Sequence, residues 1–551
     1  MARRIRWQLV IAAFSALLIA GLLGRLALRT TSLDSPLAGG VLTEAVVGAP
    51  QLLIPLLNDP LADPVGRDLI NLVFDGLVRV GADGLIEPAL ASYQVDPTGT
   101  TYIFTLRRDA RWHDGQPVTA ADVVFTLRTL QLLAQPGDPL LADAWAPQLI
   151  DRLDDFTIRV TLAEPVASFP NLARVPILPA HLLAATPPEQ WPDLPFATQP
   201  IGTGPFRLVE LREDGVSLVA NETHFNGRPF LDRLEVRFLA SAEAAQAALL
   251  RGSVMAFGER LGPNALNPNL PANLRSSAVP LDEYATLSFN LRGDPFAEQP
   301  LRRALAHGLN KEALVERAMN GNAAPLDTPI LPGSWAFDPE VTWYAPDQAT
   351  ATRLLGELGW QPEPDGVRSR QGQRLQFDLL VDAEPRRRAA ATEIARQWAE
   401  LGVVANVIEL SGPDLQARLR SGDFAVALHA WSRIGPDPDV FALWHSQSAL
   451  NYAGLNDPQL DNLLITARQE TELAARSADY AAFQRRWVEL VPAISLYQPL
   501  FAFSADRQLG GLGLDDPASA MNALLFGPED RYRTVARWYT ASYREIQGEV
   551  R

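Results

Sequence analysis

Residues 375–432 constrain the fold more than any other stretch, because apolar runs there alternate with helical patterns. LQFDLLV at 375–381 has the length and composition of a buried strand. RRRAAATEIARQWAELG follows, with Ile394, Trp398 and Leu401 at helical spacing and Gly402 as its stop. VVANVIEL is a second strand, Asp414 to Arg420 a short helix ended by Gly422, and FAVALHAW a third strand. Strands separated by helices are joined by crossovers, so this order predicts a parallel sheet with right-handed connections. Ligands of such sheets bind beyond the carboxyl ends of the strands. Here that end is HAWSRIGPDPDVF, His429 to Phe441. Trp431 offers a flat apolar face and Arg433 a planar donor fork suited to a carboxylate. Asp439 is placed to cap a helix over VFALWHS. Trp431, Ser432 and Arg433 are therefore candidate pocket residues, with a core tryptophan and a solvated arginine as the competing reading.

The rest of the chain excludes more chemistry than it offers. At 551 residues it exceeds one core, and several lobes are expected. Its net charge of −16 argues against a nucleic-acid partner, which needs a basic face. With 0 cysteines, disulfides, thiolate catalysis, iron–sulfur clusters and cysteine–zinc sites are all excluded. The histidines (His113, His181, His224, His307, His429 and His445) form neither His-x-x-x-His nor Glu-x-x-His. GTGPFR at 202–207 lacks the third glycine of a dinucleotide loop, and Pro205 blocks the turn such a loop needs. Lys311 is the one lysine and lies on an amphipathic helical pattern, GLNKEALVERA. No catalytic residue, cofactor or metal site is expected. The chain is predicted to bind rather than to catalyse.

The N-terminus begins with Arg3, Arg4 and Arg6, followed by an uncharged run from Leu9 to Gly24. Residues 1–29 are expected to be a signal anchor or a cleaved signal peptide, with 30–40 as a linker and everything beyond outside the cytoplasm. Further on, Tyr102, Phe104 and Leu106 alternate with Ile103, Thr105 and Arg107, the period of a strand. Asp114-Gly115 marks a tight turn, and Thr119 with Asp122 forms a capping box before a helix.

These segments carry a resemblance. EPALASYQVDPTGTTYIFTLRRDARWHDGQPVTAADVVFTL at 87–127 is joined in order by VFDGLVRV at 73–80, QPIGTGPFRLVE at 199–210 and NETHFNGRPFLDRLEVRFL at 221–239. LSFNLRGDPFAEQPLRRALAHGLNKEAL at 287–314 and LHAWSRIGPDPDVFALWHS at 428–446 complete the set. The chain resembles the extracytoplasmic solute-binding proteins of ABC importers, in the oligopeptide-, dipeptide- and nickel-binding class (bacterial solute-binding protein family 5). The resemblance implies an α/β, periplasmic-binding-protein-like fold of two hinged lobes with an extra domain inserted in the first. Lobe I is expected at 41–75, 196–285 and 495–551, the inserted domain at 76–195 and lobe II at 286–494. Hinge crossings are expected near Tyr284 to Asn290 and near Ile494 to Phe503.

Function follows from the same resemblance. A monomer would capture a peptide or similar small solute by hinge closure and deliver it to an ABC permease and ATPase, held to the membrane by its N-terminal segment. Peptide-binding relatives place an aspartate a few residues after the tryptophan to hold the peptide ammonium; an ungapped match puts Ile434 there. Asp437 and Asp439 match turn and cap positions, and Asp437 is kept as a ligand candidate. Asn58 and Asp59, in LLNDPLADP, match a cleft-facing loop, with turn chemistry as the alternative. Tyr284 is expected to line the cleft or to pack between lobes, and Trp335 to stack on a ligand. Alternatives are a membrane-anchored sensor, a binder of sugars or nickel chelates, and a hydrolase on the same scaffold.

Overall fold

The computed structural model describes residues 19, 32–59, 62–81, 85–133, 145, 148–261, 270–341, 343–432, 435, 437–513, 525 and 527–546. The expected signal segment 1–29 lies outside them except for Ile19. Among the described residues no helix is long and apolar enough to cross a membrane. Part of the expected linker, Ser32–Pro36, is a strand that pairs antiparallel with Ser542–Ile546.

One sheet of 12 strands organises the molecule. In chain order these are β1 (Val41–Val47), β2 (Phe206–Arg212), β3 (Gly215–Ala220), β4 (Arg233–Leu239), β5 (Ala256–Arg260) and β6 (Leu274–Pro280). Then come β7 (Glu283–Phe289), β8 (Ala323–Pro325), β9 (Gln376–Asp382), β10 (Val404–Leu410), β11 (Val426–Ser432) and β12 (Ala493–Asp506). The spatial order is β10-β9-β11-β7-β12-β5-β1-β4-β3-β2, with β6 and β8 also on β12. The three strands expected from 375–432 are present and parallel: Leu379 of β9 lies opposite Val407 of β10 and Val426 of β11. Their connecting helices are Pro385–Ala399, whose following Gly402 has φ +78°, and Gly412–Ser421, capped by Gly422 at φ +71°.

Strand β12 joins two separately packed bodies. Its residues 493–497 pair with β7, and its residues 500–506 pair with β5 and β6. The hydrophobic cores divide at the same places. One core runs from Leu42 to Leu281 and resumes at Phe501; the other begins at Ala285 and ends at Tyr497. Neither of these two cores includes residues 282–284 or 498–500, where the backbone passes from one body to the other.

Residues 91–161 build a second, antiparallel sheet of 4 strands, in the order Ala91–Val95, Thr101–Leu106, Thr157–Thr161, Leu149–Arg152. Tyr102, Phe104 and Leu106 are buried, as their alternation predicts. The capping box forms at helix Ala120–Leu132, and Asp122 also accepts from Ala180 N at 2.9 Å. The glycines of GTGPFR serve close packing. A Cβ on Gly202 would lie 1.9 Å from the Val73 carbonyl oxygen, at the end of helix Pro64–Val73.

Candidate ligand-binding site

The ladder between β7 and β11 places Tyr284 opposite Trp431 and Glu283 opposite Ser432. Trp431 stacks on Tyr452, ring centroids 5.2 Å apart and 19° from parallel, and meets the edge of His429 at 5.3 Å. Trp431 is half-buried, whereas Tyr284 is fully buried in an apolar cluster with Leu326 and Leu331. Of the two readings of Tyr284, packing is the one its burial supports. His429 Nε2 lies 2.9 Å from Ser288 Oγ in the core, and burial pushes its pKa down to about 3, with Arg387 acting in the same sense. Kept neutral by its burial, this imidazole links β11 to β7 through Ser288.

Beyond β11 the backbone enters the acidic turn. Gly435 N donates to Asp282 Oδ2 at 2.6 Å, which ties the turn to the junction between β6 and β7. Asp437 accepts from both terminal nitrogens of Arg476, each at 2.6 Å. Burial raises the Asp437 pKa and the Arg476 guanidinium opposes that rise. Arg476 lies over Trp335 at 4.9 Å, so the sequence candidates Asp437 and Trp335 meet through an arginine that sequence reading missed. Both Asp437 oxygens are engaged because a carboxylate this enclosed needs a cation. Asp439 does not occupy an N-cap: the expected helix over VFALWHS is one turn, Phe441–Trp444, and Val440 holds the cap position. Asp439 Oδ1 still accepts from Phe441 N at 3.2 Å. Arg433 and Ile434 lie outside the described residues.

Asn58 and Asp59 sit in the other body. Asn58 Nδ2 donates to Asp63 Oδ2 at 2.9 Å, and Asp63 caps helix Pro64–Val73 by accepting from Gly66 N at 2.8 Å. Asp59 Oδ1 accepts from Ala62 N at 3.3 Å, the turn chemistry that was its alternative. Asn58 also lines a cavity of about 250 Å³ together with Asn71, Asn171, Arg174 and His224. The structure therefore gathers Trp431, Ser432 and Tyr284 along one ladder and Asp437 and Trp335 around Arg476, with Asn58 across the divide.

Tyr452, Arg476 and Asn171 were not anticipated. For Arg476 a signal existed. It shares one helical stripe with the buried Tyr480, Phe483 and Trp487 in helix Leu473–Leu490, and an arginine on an apolar stripe calls for an anion.

The family model described as bacterial extracellular solute-binding proteins, family 5 Middle, matches residues 86–452, more than half of the chain. The oligopeptide-binding protein AppA of Bacillus subtilis is 25% identical over 492 residues, covering 85% of this chain and 88% of that protein. Its structure in complex with a nonapeptide superimposes with a TM-score of 0.69 at 23% identity, covering 92% of this chain and 100% of that one. NikZ from Campylobacter jejuni, in complex with Ni(L-His), gives a TM-score of 0.69 at 25% identity, covering 91% of this chain and 99% of that one.

Proposed function

The chain belongs to the bacterial extracellular solute-binding proteins of family 5, and on that footing we propose that it is the extracytoplasmic receptor of an ABC importer, capturing peptides or similar small oligomeric solutes. The observation that carries this reading is the division of the molecule. Two bodies, each with its own core, are joined by strand crossings at 281–284 and 498–500. The turn at the carboxyl end of β11 lies between them.

In this reading residues 41–75, 196–285 and 495–551 form lobe I, 76–195 an inserted domain and 286–494 lobe II. The N-terminal segment 1–29 exports the chain and, if retained, anchors it at the outer face of the membrane. A solute contacting both lobes draws the open form into the closed one, because only closed contacts shift that equilibrium. A micromolar affinity corresponds to about −8 kcal/mol, within reach of a few desolvated contacts. Trp431 supplies a flat wall to the solute. Arg433 beside Ile434 favours a solute carrying a carboxylate or polar oxygens over one anchored by its ammonium. The closed form is handed to a permease with its ATPase, and no bond is made or broken. Mass spectrometry of the solute released from freshly purified protein tests the reading. A peptide or small oligomer recovered at near-stoichiometric amount supports it, whereas a solute that is hydrolysed during incubation with the protein overturns it.

A further inference from the structure

Between the inserted domain and lobe II runs a set of direct contacts. On the inserted-domain side, the segment after strand Thr157–Thr161 is fixed by its own neighbours. Tyr102 Oη donates to the Val166 carbonyl at 3.0 Å, and Phe169 packs on Tyr102 and Trp145 with ring centroids 4.8 and 5.0 Å away. Across the divide, Ala167 N donates to the Arg468 carbonyl at 2.8 Å and Ser168 Oγ donates to Asp439 Oδ2 at 3.1 Å. Arg468 Nε stands 3.2 Å from the same Asp439 oxygen, with its guanidinium 4.5 Å from the Phe441 ring centre. Gly435 meets the same segment: its φ is +106°, and a Cβ there would lie 2.1 Å from Asn171 Nδ2.

Asp439 has Arg468 and the Phe441 amide as partners within lobe II, and the Ser168 hydroxyl as its partner from across the divide. A contact of this kind is strong because its acceptor is charged, and cheap to release because neither side is left with a bare charge.

We infer that Ser168 and Asp439 form a closing latch, a pair of positioning residues that set the open–closed equilibrium and through it the residence time of the solute. The inference rests on the receptor reading above and assigns the inserted domain a role in it. Ser168 touches no solute in this account; it acts through Asp439. Its hydroxyl has the strength of a hydrogen bond to a charged group, so Ser168→Ala should shift the equilibrium toward the open form about tenfold. Solute affinity should weaken by up to the same factor, mostly through faster release.

The chain has 0 cysteines, so two introduced cysteines take spin labels without background. Asp193→Cys in the inserted domain and Asn462→Cys in lobe II are both at exposed positions. In the solute-free full chain, the distance distribution between the labels is expected to hold a short and a long population. Ser168→Ala should deplete the short one and Ser168→Thr, which keeps a hydroxyl, should restore it, with the melting temperature of the solute-free protein unchanged. A mixture of di- to pentapeptides is then titrated onto each variant. Peptides that bind wild type and Ser168→Ala equally, with identical distance distributions, would overturn the latch and leave the receptor reading standing. Absence of peptide binding would count against the peptide reading alone, because the solute-free distributions still report on the latch. A single distance common to all variants would also overturn it.

Discussion

Loss of Arg531 should strongly destabilise the body built on β1. Its Nε reaches Glu44 Oε1 of β1 at 2.9 Å, and its terminal nitrogens reach both Asp68 oxygens, in helix Pro64–Val73, at 2.8 and 2.6 Å. Tyr532 Oη donates to the other Glu44 oxygen at 2.8 Å. All of these side chains are buried, and one guanidinium serves two carboxylates. Arg531→Met keeps the bulk and removes the cation. Breaking a buried ion pair from one side costs about 3–5 kcal/mol, because the remaining charge has no water and no partner. The loss should depend on pH. Burial raises the Asp68 pKa from 3.8 to about 6, even though Arg531 opposes it. The folded state thus holds that proton more tightly than the unfolded one. Its contribution is complete below pH 3.8 and is lost as pH rises to about 6, a span of about 3 kcal/mol. Without Arg531 the Asp68 carboxyl loses the cation that favours its charged form and holds its proton to still higher pH, so the variant should lose most stability at pH 7.5 and recover much of it at pH 5. Urea denaturation followed by tryptophan fluorescence at both pH values measures this. A loss below about 1 kcal/mol, or an equal loss at the two pH values, would refute the reasoning.

Two further substitutions test local arguments. Gly202→Ala forces a Cβ to within 1.9 Å of the Val73 carbonyl oxygen; this overpacking against backbone should cost about 1–3 kcal/mol by urea denaturation, and a neutral result would mean that the junction between helix and loop moves freely. Ile434→Asp introduces a carboxylate at the position where the family resemblance implies an ammonium anchor, and should tighten binding of free-amine tripeptides by tenfold or more in calorimetric titration while leaving N-acetylated tripeptides unchanged. Equal gains for both peptide types would discard the ammonium-anchor argument.

The parts of the fold that were legible in the sequence are those encoded within one or two elements. β9, β10 and β11 were found because their apolar runs, the stripe of Ile394 and Trp398 and the stops at Gly402 and Gly422 are local signals. The capping box of Thr119 and Asp122 was found for the same reason. Pairings between distant segments were not legible. Asp437 meets Arg476 across 39 residues of chain, and Arg531 meets Asp68 across 463. A carboxylate in a sequence does not say which cation will enclose it. Ser32–Pro36 reads as linker in the sequence because a backbone ladder with Ser542–Ile546 needs no apolar pattern. The composition of VFALWHS permits a longer helix, but the chain leaves it after Trp444. Among the site candidates, Trp431 was placed by topology alone, since a strand end in a parallel sheet is a definite location. Asn58 was chosen from a loop by resemblance, and in the structure its amide braces Asp63 at the start of a helix while its side chain also faces a cavity.

The central claim is that two bodies close on a solute, and small-angle X-ray scattering tests it directly. The protein is stripped of bound solute by reversible unfolding, and its radius of gyration is then followed as the solute recovered from the native preparation is returned to saturation. The account predicts a smaller radius of gyration on saturation, reversed when the solute is dialysed away. Saturating binding with scattering curves that superimpose throughout would contradict it.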